Sequence, residues 1–597
     1  MCGFFGIFGD TNDIKVNRVI NALKHRGPDD QCSINVDGGI LGHTRLSIID
    51  LSNKARQPMT DDIGRYTIVY NGEVYNYGLI KKELESLGIN FRSNSDTEVI
   101  LKGYQVWGES LFPKLRGMFA LGIYDAETKG IVLVRDGLGI KPLLYAQFGT
   151  KLVFGSELKA IIETGVIPKT LNNKAITSLL CYGSIQQPDT IIQGINHLPP
   201  GHILRWNYDG NVTIRELIKI KLNINNLAKL DYQTATHELR KRLEDATRAN
   251  MIADVDVGCF LSGGIDSSAV LALMQKQVSK PIHAISLGFE SQNEVVDESQ
   301  IAMNTASYLG SKFTKTIVTD SQIPNVFDDF VKSLGQPSID GFNTYLVSRE
   351  ASKYVKVVLS GLGGDELFAG YPHHKTILQF SNQKNIWDSL FRLIHTIRPN
   401  RFTKSAFYRS IGPLGILRNI RTIFSRSEIS MMLNQSQFVP NQQKHHLSLS
   451  KLQNISLAEL SGYLCNTLLR DSDAVSMWHG LEVRPVLLDK VIVDFALGIP
   501  DDYKIRDKRM KAIFVDAVKD LLPKEVLSQP KRGFEIPLAR WMNGVLNDYF
   551  FDLCSSEAAS TIFSNSYRKN LISRLHSKKM NRRDFLPMVL LSWHSQT

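Results

Sequence analysis

The most reactive side chain near the start of the chain is a cysteine at the second position. Removal of the initiator methionine would leave the Cys2 thiol beside a free α-amine. An α-amine has an unperturbed pKa of about 8, so it can accept the thiol proton, and one residue then supplies both nucleophile and base. An ordinary buried cysteine is the alternative interpretation, and position alone favours that alternative.

Polar groups that suit an amino-acid substrate follow within the first hundred residues. Arg45 can hold a carboxylate through two parallel hydrogen bonds, and Glu73 and Asp96 can accept hydrogen bonds from an α-ammonium. The Asn71 side chain and the Gly72 N–H can donate to an oxyanion. A bare Asn-Gly pair is by default a tight β-turn, so this dipeptide also has a purely structural interpretation.

A glycine-rich turn, FLSGGIDSS at Phe260–Ser268, suggests a second kind of chemistry. Gly263 and Gly264 let backbone N–H groups face an anion at the start of a helix, and Asp266 is placed to lie near a magnesium ion. The hydroxyl donors of the turn are Ser262, Ser267 and Ser268. No lysine follows the glycines, so this is not the phosphate loop of the P-loop enzymes. A helix-capping Gly-Gly turn is the structural alternative for SGG alone.

A related turn, LSGLGGDELFAGY, occupies Leu359–Tyr371. The backbone of Ser360 and Gly361 is expected to approach a nucleotide there. Asp365 and Glu366 carry the oxygen ligands that magnesium prefers. The two turns together predict an anion site with a divalent cation.

The elements that must position these residues change in type along the chain. Up to about residue 210, hairpin signals at VDGG, YNGE and YDGN (Val36–Gly39, Tyr70–Glu73 and Tyr208–Asn211) and a strand pair around DAETKG predict antiparallel sheets. From Asp231 onward, a helix over Tyr232–Asn250 precedes repeated strand–turn–helix units, which predict a parallel α/β sheet. The linker is expected at Leu217–Leu230, and mostly helix is expected beyond Tyr371.

Composition excludes several other classes of protein. The 597 residues are 43% hydrophobic and 22% charged, which is typical of globular chains of at least two domains. Six cysteines without CxxC pairs disfavour zinc and disulfide frameworks. No apolar run is long enough for a membrane helix, and the start does not read as a secretory signal. The formal charge of +11 is dispersed and, around Arg392–Arg426, mixed with apolar residues as in an amphipathic helix, so no nucleic-acid partner is expected.

The first half of the sequence resembles the class II glutamine amidotransferases with an N-terminal nucleophile. The motifs that carry the resemblance, in one order, are MCGFFGIFG, HRGPDD, TRLSIIDLS, YNGEVYNY, SDTE, GMFALGIYD, RDGLGIKPLLY and FGSELKAI. The resemblance implies an αββα sandwich that hydrolyses glutamine, with Cys2 as nucleophile and Asn71 and Gly72 as oxyanion hole. It further implies glutamine contacts at Arg45, Leu46, Ser47, Ile48, Ile49, Asn71, Gly72, Glu73 and Asp96.

The second half resembles the synthetase domain of the glutamine-hydrolysing asparagine synthetases. SGGxDSS matches the loop of enzymes that cleave ATP between the α and β phosphates, and LLRDSDAVSMWHGLEVRPVLLD, RMKAIFVDAVKDLLP and QPKRGFEIPLARWM follow. The resemblance implies a parallel α/β domain of the adenine nucleotide alpha hydrolase type with added helices, and Lys511 at the pyrophosphate. The ATP contacts that it and the loop predict are Leu261, Ser262, Gly263, Gly264, Asp266, Ser267, Ser268, Leu287, Ser360 and Gly361, with Mg²⁺ at Asp266 and Asp365.

These resemblances imply a glutaminase domain at 2–212 and a synthetase domain at 231–597. Together they would amidate aspartate with ATP and glutamine in the cytoplasm, through a β-aspartyl-adenylate and channelled ammonia; a homodimer is left open. One position departs from the family, because Leu362 stands where an acidic residue is usual. That departure keeps open another acceptor carboxylate, such as a sugar acid, a peptide or a natural-product precursor. An RNA-modifying enzyme is a further alternative, which the complete glutaminase half disfavours. A non-catalytic relative is another, and the intact residues that disfavour it are Cys2, Asn71, Asp96, Asp266 and Lys511.

Overall fold

In the computed structural model, two six-stranded antiparallel sheets form the first part of the chain. The structure describes residues 2–11, 13–222, 227, 229–290, 299–381, 401–436, 448–529 and 536–596, with backbone alone for 380, 381 and 401–410. The twelve strands are β1 Gly3–Phe8, β2 Asp30–Val36, β3 Gly39–Arg45, β4 Met59–Thr60, β5 Tyr66–Val74, β6 Gly117–Asp125, β7 Gly130–Arg135, β8 Leu144–Phe148, β9 Lys151–Gly155, β10 Ile195–His197, β11 His202–Trp206 and β12 Val212–Glu216. Their orders are β10-β8-β9-β1-β3-β2 and β12-β11-β7-β6-β5-β4.

The two sheets pack face to face and carry helices on their outer faces. The helices are α1 Val16–Leu23, α2 Tyr77–Ser86, α3 Asp96–Trp107, α4 Leu158–Ile162 and α5 Asn173–Tyr182. Aromatic and aliphatic side chains from both sheets, among them Phe8, Tyr124 and Phe154, fill the space between the sheets. Helices α2 and α3 cover the β5 side, whereas α1, α4 and α5 cover the β1 side. The predicted αββα sandwich is therefore confirmed.

Two of the three predicted hairpins are confirmed, and the third is wrong. Turns at Asp37-Gly38 and Tyr208–Gly210 join β2 to β3 and β11 to β12. The YNGE segment instead lies within β5, where Asn71 and Gly72 pair with Ala120 and Phe119 of β6. The strand continues through this Asn-Gly because nine consecutive residues pair with β6, which leaves no room for a reversal.

The second part of the chain contains a five-stranded parallel sheet. Its strands are β13 Val257–Phe260, β14 His283–Phe289, β15 Lys312–Val318, β16 Val357–Ser360 and β17 Glu482–Pro485. They lie in the order β15-β14-β13-β16-β17, and every neighbouring pair is parallel. The carboxyl ends of β13 and β16, which carry the two predicted anion turns, are therefore adjacent.

Helices surround this sheet and make up most of the remaining chain. Those before Tyr371 are α6 Tyr232–Asn250, α7 Ile265–Gln277, α8 Ser299–Tyr308, α9 Ile323–Ser333, α10 Phe342–Ala351 and α11 Gly364–Phe368. Those that follow are α12 Pro372–Ser381, α13 Arg401–Arg421, α14 Arg426–Met432, α15 Lys451–Glu459, a π-helical stretch Leu460–Leu469, α16 Arg470–Met477, α17 Lys490–Gly498, α18 Asp501–Lys504, α19 Ala512–Val518, α20 Lys524–Ser528, α21 Leu538–Asn543, α22 Asn547–Ser555, α23 Glu557–Ile562, α24 Asn565–His576 and α25 Phe585–Gln596. The predicted parallel α/β region and the helical remainder are confirmed.

Some predictions fall partly outside the described residues. One strand–turn–helix unit was predicted to end in a helix over 296–308, of which 296–298 lie outside. Residues 392–400 of the amphipathic segment Arg392–Arg426 and 530–535 of the QPKRGFEIPLARWM motif also lie outside. In the predicted linker, 217–222 form neither helix nor strand, and 223–226 and 228 lie outside as well.

Apolar contacts join the two parts of the chain. One cluster packs Ala175 and Leu179 of α5 with Phe327, Phe342 and other side chains of the later helices. A second cluster places Leu46, Ile48 and Met118 with Leu243 of α6 and Val486. Among the described residues, no helix combines the length and hydropathy needed to span a membrane.

Candidate functional site

Cys2 lies at the edge of the sandwich, directly before β1. Because Gly3 pairs with Thr44, the strand register brings Cys2 beside Arg45 at the end of β3. The backbone N–H of Cys2 donates to Asn71 Oδ1 at 3.1 Å, and Sγ lies 3.9 Å from the Leu46 carbonyl oxygen. Burial raises the pKa of the Cys2 thiol, so a nearby base is needed to form the thiolate. The nitrogen that would become the α-amine is held by Asn71.

Asn71 and Gly72 approach Cys2 from the opposite sheet. Asn71 is fully buried, and its Nδ2 group has no hydrogen-bond partner among the described residues. A buried donor without a partner is costly and marks a place where a ligand oxygen can bind. Glycine is required at position 72, since a Cβ there would lie 2.2 Å from the Met118 carbonyl oxygen. This geometry suits the predicted oxyanion hole.

Asp96 is the first residue of α3 and lies beneath β5. Its Oδ2 accepts hydrogen bonds from the Tyr70 hydroxyl at 2.8 Å and the Val74 N–H at 3.1 Å. Burial raises the pKa of the Asp96 carboxyl to about 6. The carboxylate is therefore positioned by hydrogen bonds but changes charge close to neutral pH.

Glu73 connects the sandwich to the second part of the chain. Burial raises the pKa of its carboxyl, although the Arg484 guanidinium, 3.3 Å from Oε1, opposes that effect. Its Oε2 is buried without a hydrogen-bond partner among the residues that the structure describes. Glu73 thus has one oxygen beside Arg484 and a second oxygen that a ligand donor can reach.

The segment from Arg45 to Ile49 forms the remaining wall. Two N–H groups of Arg45 donate to the carbonyl oxygens of Asp50 and Ser52, so the loop itself uses part of the guanidinium that was predicted to bind a carboxylate. Ser47 donates its N–H to Asp29, and the Ile48 carbonyl accepts from the Asp254 N–H. Leu46 and Ile48 are buried, and Ile49 is half-buried. The structure thus brings all the predicted glutamine contacts to one edge of the sandwich.

The Asp96 carboxyl is expected to make glutamine binding pH-dependent. Below its pKa of about 6 the neutral acid loses its charge attraction for an α-ammonium. The KM for glutamine should therefore rise as pH falls from about 7.5 to about 5. Initial rates of glutamate release across this range, for the native protein and Asp96→Asn, measure the effect. The variant should have a KM at least about tenfold higher at pH 7.5 and a flatter profile. A native KM that is unchanged at pH 5 would contradict this role for Asp96.

Four charged residues that were not predicted tie the nucleophile to the second part of the chain. The fully buried Arg26 donates from Nε to the Cys2 carbonyl oxygen at 3.1 Å. Its other nitrogens reach Glu157 at 3.0 Å and Asp473 of α16 at 2.8 Å. The buried Lys141 lies 3.4 Å from the same Asp473 carboxylate. HRGPDD contained Arg26, but nothing in the motif indicates a partner 447 residues away.

Asp473→Asn is expected to weaken glutamine hydrolysis more than ammonia-driven synthesis. The change removes the negative charge that pairs with the buried Arg26 and Lys141. Because Arg26 binds the Cys2 carbonyl oxygen, its displacement would move the nucleophile. We expect kcat/KM for glutamine to fall by about ten- to a hundredfold, while synthesis from ammonium changes by less than about threefold. Asp494→Asn on α17, a half-buried partner of Lys490, is a matched control that should leave both rates unchanged. Equal losses of both activities would instead indicate a general folding role.

The SGGIDSS turn lies between the end of β13 and the start of α7. Gly263 has a φ of +78°, a conformation that favours glycine. Ser267 Oγ accepts from the Ser262 N–H at 3.1 Å and donates to the Gly264 carbonyl oxygen at 3.1 Å. These bonds close the turn around the helix N-terminus, where backbone donors favour an anion.

Asp266, Asp365 and Lys511 form a charged cluster at the adjacent ends of β13 and β16. Lys511 Nζ lies 2.6 Å from Asp266 Oδ2 and 2.6 Å from Asp365 Oδ1, and Lys511 is 4% exposed. Burial opposes the lysine charge, but the two carboxylates outweigh it and raise the pKa of Lys511. Gly370 allows this approach, since a Cβ there would lie 2.0 Å from Lys511 Cε. The carboxylates converge on one cation, as two ligands of a magnesium ion must.

A cavity of about 250 Å³ opens beside this cluster. Seven of the ten predicted ATP contacts line it: Leu261, Ser262, Asp266, Ser267, Leu287, Ser360 and Gly361. The described residues that line the cavity do not include Gly263, Gly264 or Ser268. Ser268 is fully buried within α7. The cavity lies at the carboxyl ends of β13 and β16, beside Ser286 and Leu287 of β14.

Three further residues that line the cavity were not predicted as site residues. Asn343 and Thr344 contribute from the start of α10, and Ser286 contributes from β14. The DGFNTYL segment, with polar residues at a helix start, was a signal that could have indicated the first two. Two residues singled out in the sequence, Leu362 and Glu366, also line the cavity, and Glu366 Oε1 accepts from the Tyr371 hydroxyl at 2.7 Å. Burial raises the pKa of Glu366 to about 7.

The site residues suit magnesium and a nucleotide. Asp266 and Asp365 supply hard oxygen ligands at one point, so they would hold Mg²⁺ in the nucleotide complex. A bound Mg²⁺ supplies charge neutralisation for phosphate oxygens. Lys511 would then pair with phosphate instead of sharing both carboxylates.

Comparison with protein families agrees with this division into two sites. The family described as asparagine synthase matches residues 238–595, and the family described as glutamine amidotransferase domain matches residues 1–216. The chain belongs to the asparagine synthase family. The predicted enzyme class, a carbon–nitrogen ligase that takes nitrogen from glutamine, is confirmed, and the chain catalyses glutamine-dependent amidation.

Several known proteins are similar to this chain over most of its length. Asparagine synthetase [glutamine-hydrolyzing] 1 of Bacillus subtilis is 28% identical over 622 aligned positions, which cover 100% of this chain and 96% of that protein. The putative asparagine synthetase [glutamine-hydrolyzing] 2 of Methanocaldococcus jannaschii is 35% identical to this chain. That alignment covers 63% of this chain and 76% of the Methanocaldococcus protein. The chain is also similar to the Penicillium rubens protein named amidase chyE, at 25% identity over 91% of this chain and 88% of that one.

Proposed function

We propose that the chain converts aspartate to asparagine with ATP and glutamine. The cluster of Asp266, Asp365 and Lys511 beside the nucleotide cavity carries this proposal, because it provides magnesium ligands and a cation for pyrophosphate. The aspartate carboxylate attacks the α-phosphorus of ATP and releases pyrophosphate, giving β-aspartyl-adenylate. Ammonia then displaces AMP and loses a proton, which yields the amide. Relatives named as glutamine-hydrolysing asparagine synthetases support this acceptor.

Glutamine supplies the ammonia at Cys2 in the proposed mechanism. The thiolate attacks the side-chain amide, ammonia leaves, and water hydrolyses the thioester to glutamate. Asn71 and Gly72 stabilise the oxyanion, while Arg45–Ile49, Glu73 and Asp96 hold the substrate. Ammonia reaches the adenylate inside the protein, where it is kept from protonation by bulk water.

In this proposal the predicted domain 2–212 hydrolyses glutamine, and the predicted domain 231–597 uses ATP to form the amide. We further propose a cytoplasmic location, which is supported by six free thiols among the described residues.

A different acceptor carboxylate is the second candidate. Leu362 supports it, since this side chain lines the nucleotide cavity and can neither take a proton nor ligate magnesium. If the acceptor is aspartate, Glu366 of the same cavity wall can supply the carboxyl group that Leu362 lacks.

The test uses the full chain with ATP, magnesium, amide-labelled glutamine and a panel of carboxylic acids. Mass spectrometry should find labelled asparagine together with equal amounts of AMP and pyrophosphate. If aspartate is the acceptor, Leu362→Glu should keep or improve asparagine formation. If another acid is the acceptor, the same change should slow turnover of that acid through like-charge repulsion. Absence of aspartate-dependent AMP, with ammonium and glutamine both supplied, would overturn aspartate as acceptor.

A further inference from the structure

A cluster of potential metal ligands lies outside both sites. His373 and His374 occupy the first turn of α12, and Glu459 is the last residue of α15. Each offers one ligand atom, and these atoms lie within 4.8 Å of one another. Imidazole nitrogen and carboxylate oxygen are the ligands of many zinc sites.

His374 shows that the cluster is not satisfied by its protein neighbours. It is 1% exposed, and neither ring nitrogen has a hydrogen-bond partner among the described residues. Its ring packs against the rings of Tyr371 and His373, with centroids 5.6 Å and 4.7 Å away. Buried polar groups are rarely left in this condition, so an imidazole with two unused nitrogens points to a bound ligand.

Glu459 is already oriented for such a ligand. It is 1% exposed, and its Oε1 lies 2.9 Å from His373 Nε2. Arg421 donates to Oε1 at 2.8 Å and to Oε2 at 3.2 Å, while its guanidinium lies 3.8 Å from the centroid of the Tyr463 ring. Carboxylates that bind metals are commonly held by such outer hydrogen bonds.

We propose that His373, His374 and Glu459 bind a zinc-class transition-metal ion. Two ligands of a tetrahedral zinc ion lie about 3.3 Å apart when metal–ligand bonds are about 2.0 Å. The 2.9 Å between His373 Nε2 and Glu459 Oε1 is already close to that separation, so the ion replaces their hydrogen bond. Rotation of the His374 ring completes a set of three, and Arg421 stays on the second carboxylate oxygen. Magnesium is disfavoured here, because it prefers oxygen ligands.

The ion would join two helices, the first of which directly follows Tyr371 of the cavity wall. Tyr371 immediately precedes α12, and its hydroxyl donates to Glu366 in the cavity wall. A metal that fixes the start of α12 against the end of α15 therefore fixes Tyr371 as well. The role is structural and independent of which acid the enzyme amidates.

Zinc titration of the whole protein tests the proposal. Chain made without a polyhistidine tag is freed of metal with a chelator and titrated with Zn²⁺ by calorimetry, with Co²⁺ absorption as a spectroscopic measure. One Zn²⁺ should bind per chain, and His374→Ala or Glu459→Gln should weaken binding at least about tenfold and remove the tetrahedral cobalt bands. His283→Ala, which removes a half-buried histidine bonded to Thr314, is the matched control.

Folding of each variant is checked by glutamine hydrolysis, because the described hydrogen bonds and ion pairs of the glutaminase residues do not involve these three side chains. The half-buried His373 provides a second variant, His373→Asn, in case His374→Ala does not fold. Zinc should raise the melting temperature of the native protein but not of these variants. Absence of Zn²⁺ binding to the native chain, or equal affinity in folded His373→Asn and native protein, would overturn the proposal.

Discussion

Replacing Cys2 with alanine is expected to abolish glutamine hydrolysis and to leave synthesis from ammonium intact. The thiol is the proposed nucleophile, so we expect the hydrolysis rate to fall by roughly 10⁴-fold or more. Amide formation with added ammonium should stay within about twofold, because the nucleotide cluster has no contact with Cys2 in the described structure. Glutamate release and ammonium-dependent AMP formation are measured side by side.

Cys181→Ala is a suitable control for the Cys2 variant. Cys181 is a half-buried free cysteine in α5, and its replacement should leave both reactions unchanged. Continued glutamine hydrolysis by Cys2→Ala would refute the nucleophile. An initiator methionine still present in the active protein would refute the α-amine as its base.

Asp266→Asn is expected to remove synthesis with either nitrogen source. The change takes one carboxylate from Lys511 and one oxygen ligand from the magnesium that Asp266 and Asp365 would hold. We expect AMP and pyrophosphate formation to fall by roughly 10²- to 10⁴-fold with both glutamine and ammonium. Glutamine hydrolysis should persist, which reports that the variant is folded.

Asp256→Asn is the matched control for this second prediction. Asp256 is exposed beside the start of β13 and pairs with Lys280, so its loss should leave the rates unchanged. Near-normal synthesis by Asp266→Asn would contradict the metal and lysine assignment. ADP and phosphate as products of the native protein would contradict adenylation itself.

Local patterns in the sequence predicted much of the fold. The VDGG and YDGN turns lie between strands that their flanking residues could form, and short apolar runs followed by helices predicted the parallel sheet. The YNGE segment shows the limit of this approach. Its Asn-Gly is typical of a turn, but pairing with β6 along the whole of β5 prevails over that local preference.

Site residues that can be recognised from their type and motif were predicted from the sequence. Interactions between residues far apart in the chain were not. Cys2, Asn71, Asp266 and Asp365 could be selected from residue type and motif. The bond between Arg26 and Asp473 spans 447 residues, and nothing local in HRGPDD or RDSDAV indicates it. The Asp266 carboxylate likewise meets Lys511 across 245 residues. Such pairs depend on how the two parts of the chain pack, which a single sequence does not specify.

The apolar clusters shared by the sandwich and the later helices affect how the protein unfolds when heated. Leu179 of α5 packs with Phe327 and Phe342, and Leu46 beside Cys2 packs with Leu243 and Val486. Neither half can melt without exposing apolar surface that belongs to the other, at a cost of about 25 cal/mol for each Å² exposed. Denaturation should therefore be a single cooperative event, in which ammonia production and ammonia use disappear together. A thermally damaged chain would then not be left as an active glutaminase that wastes glutamine.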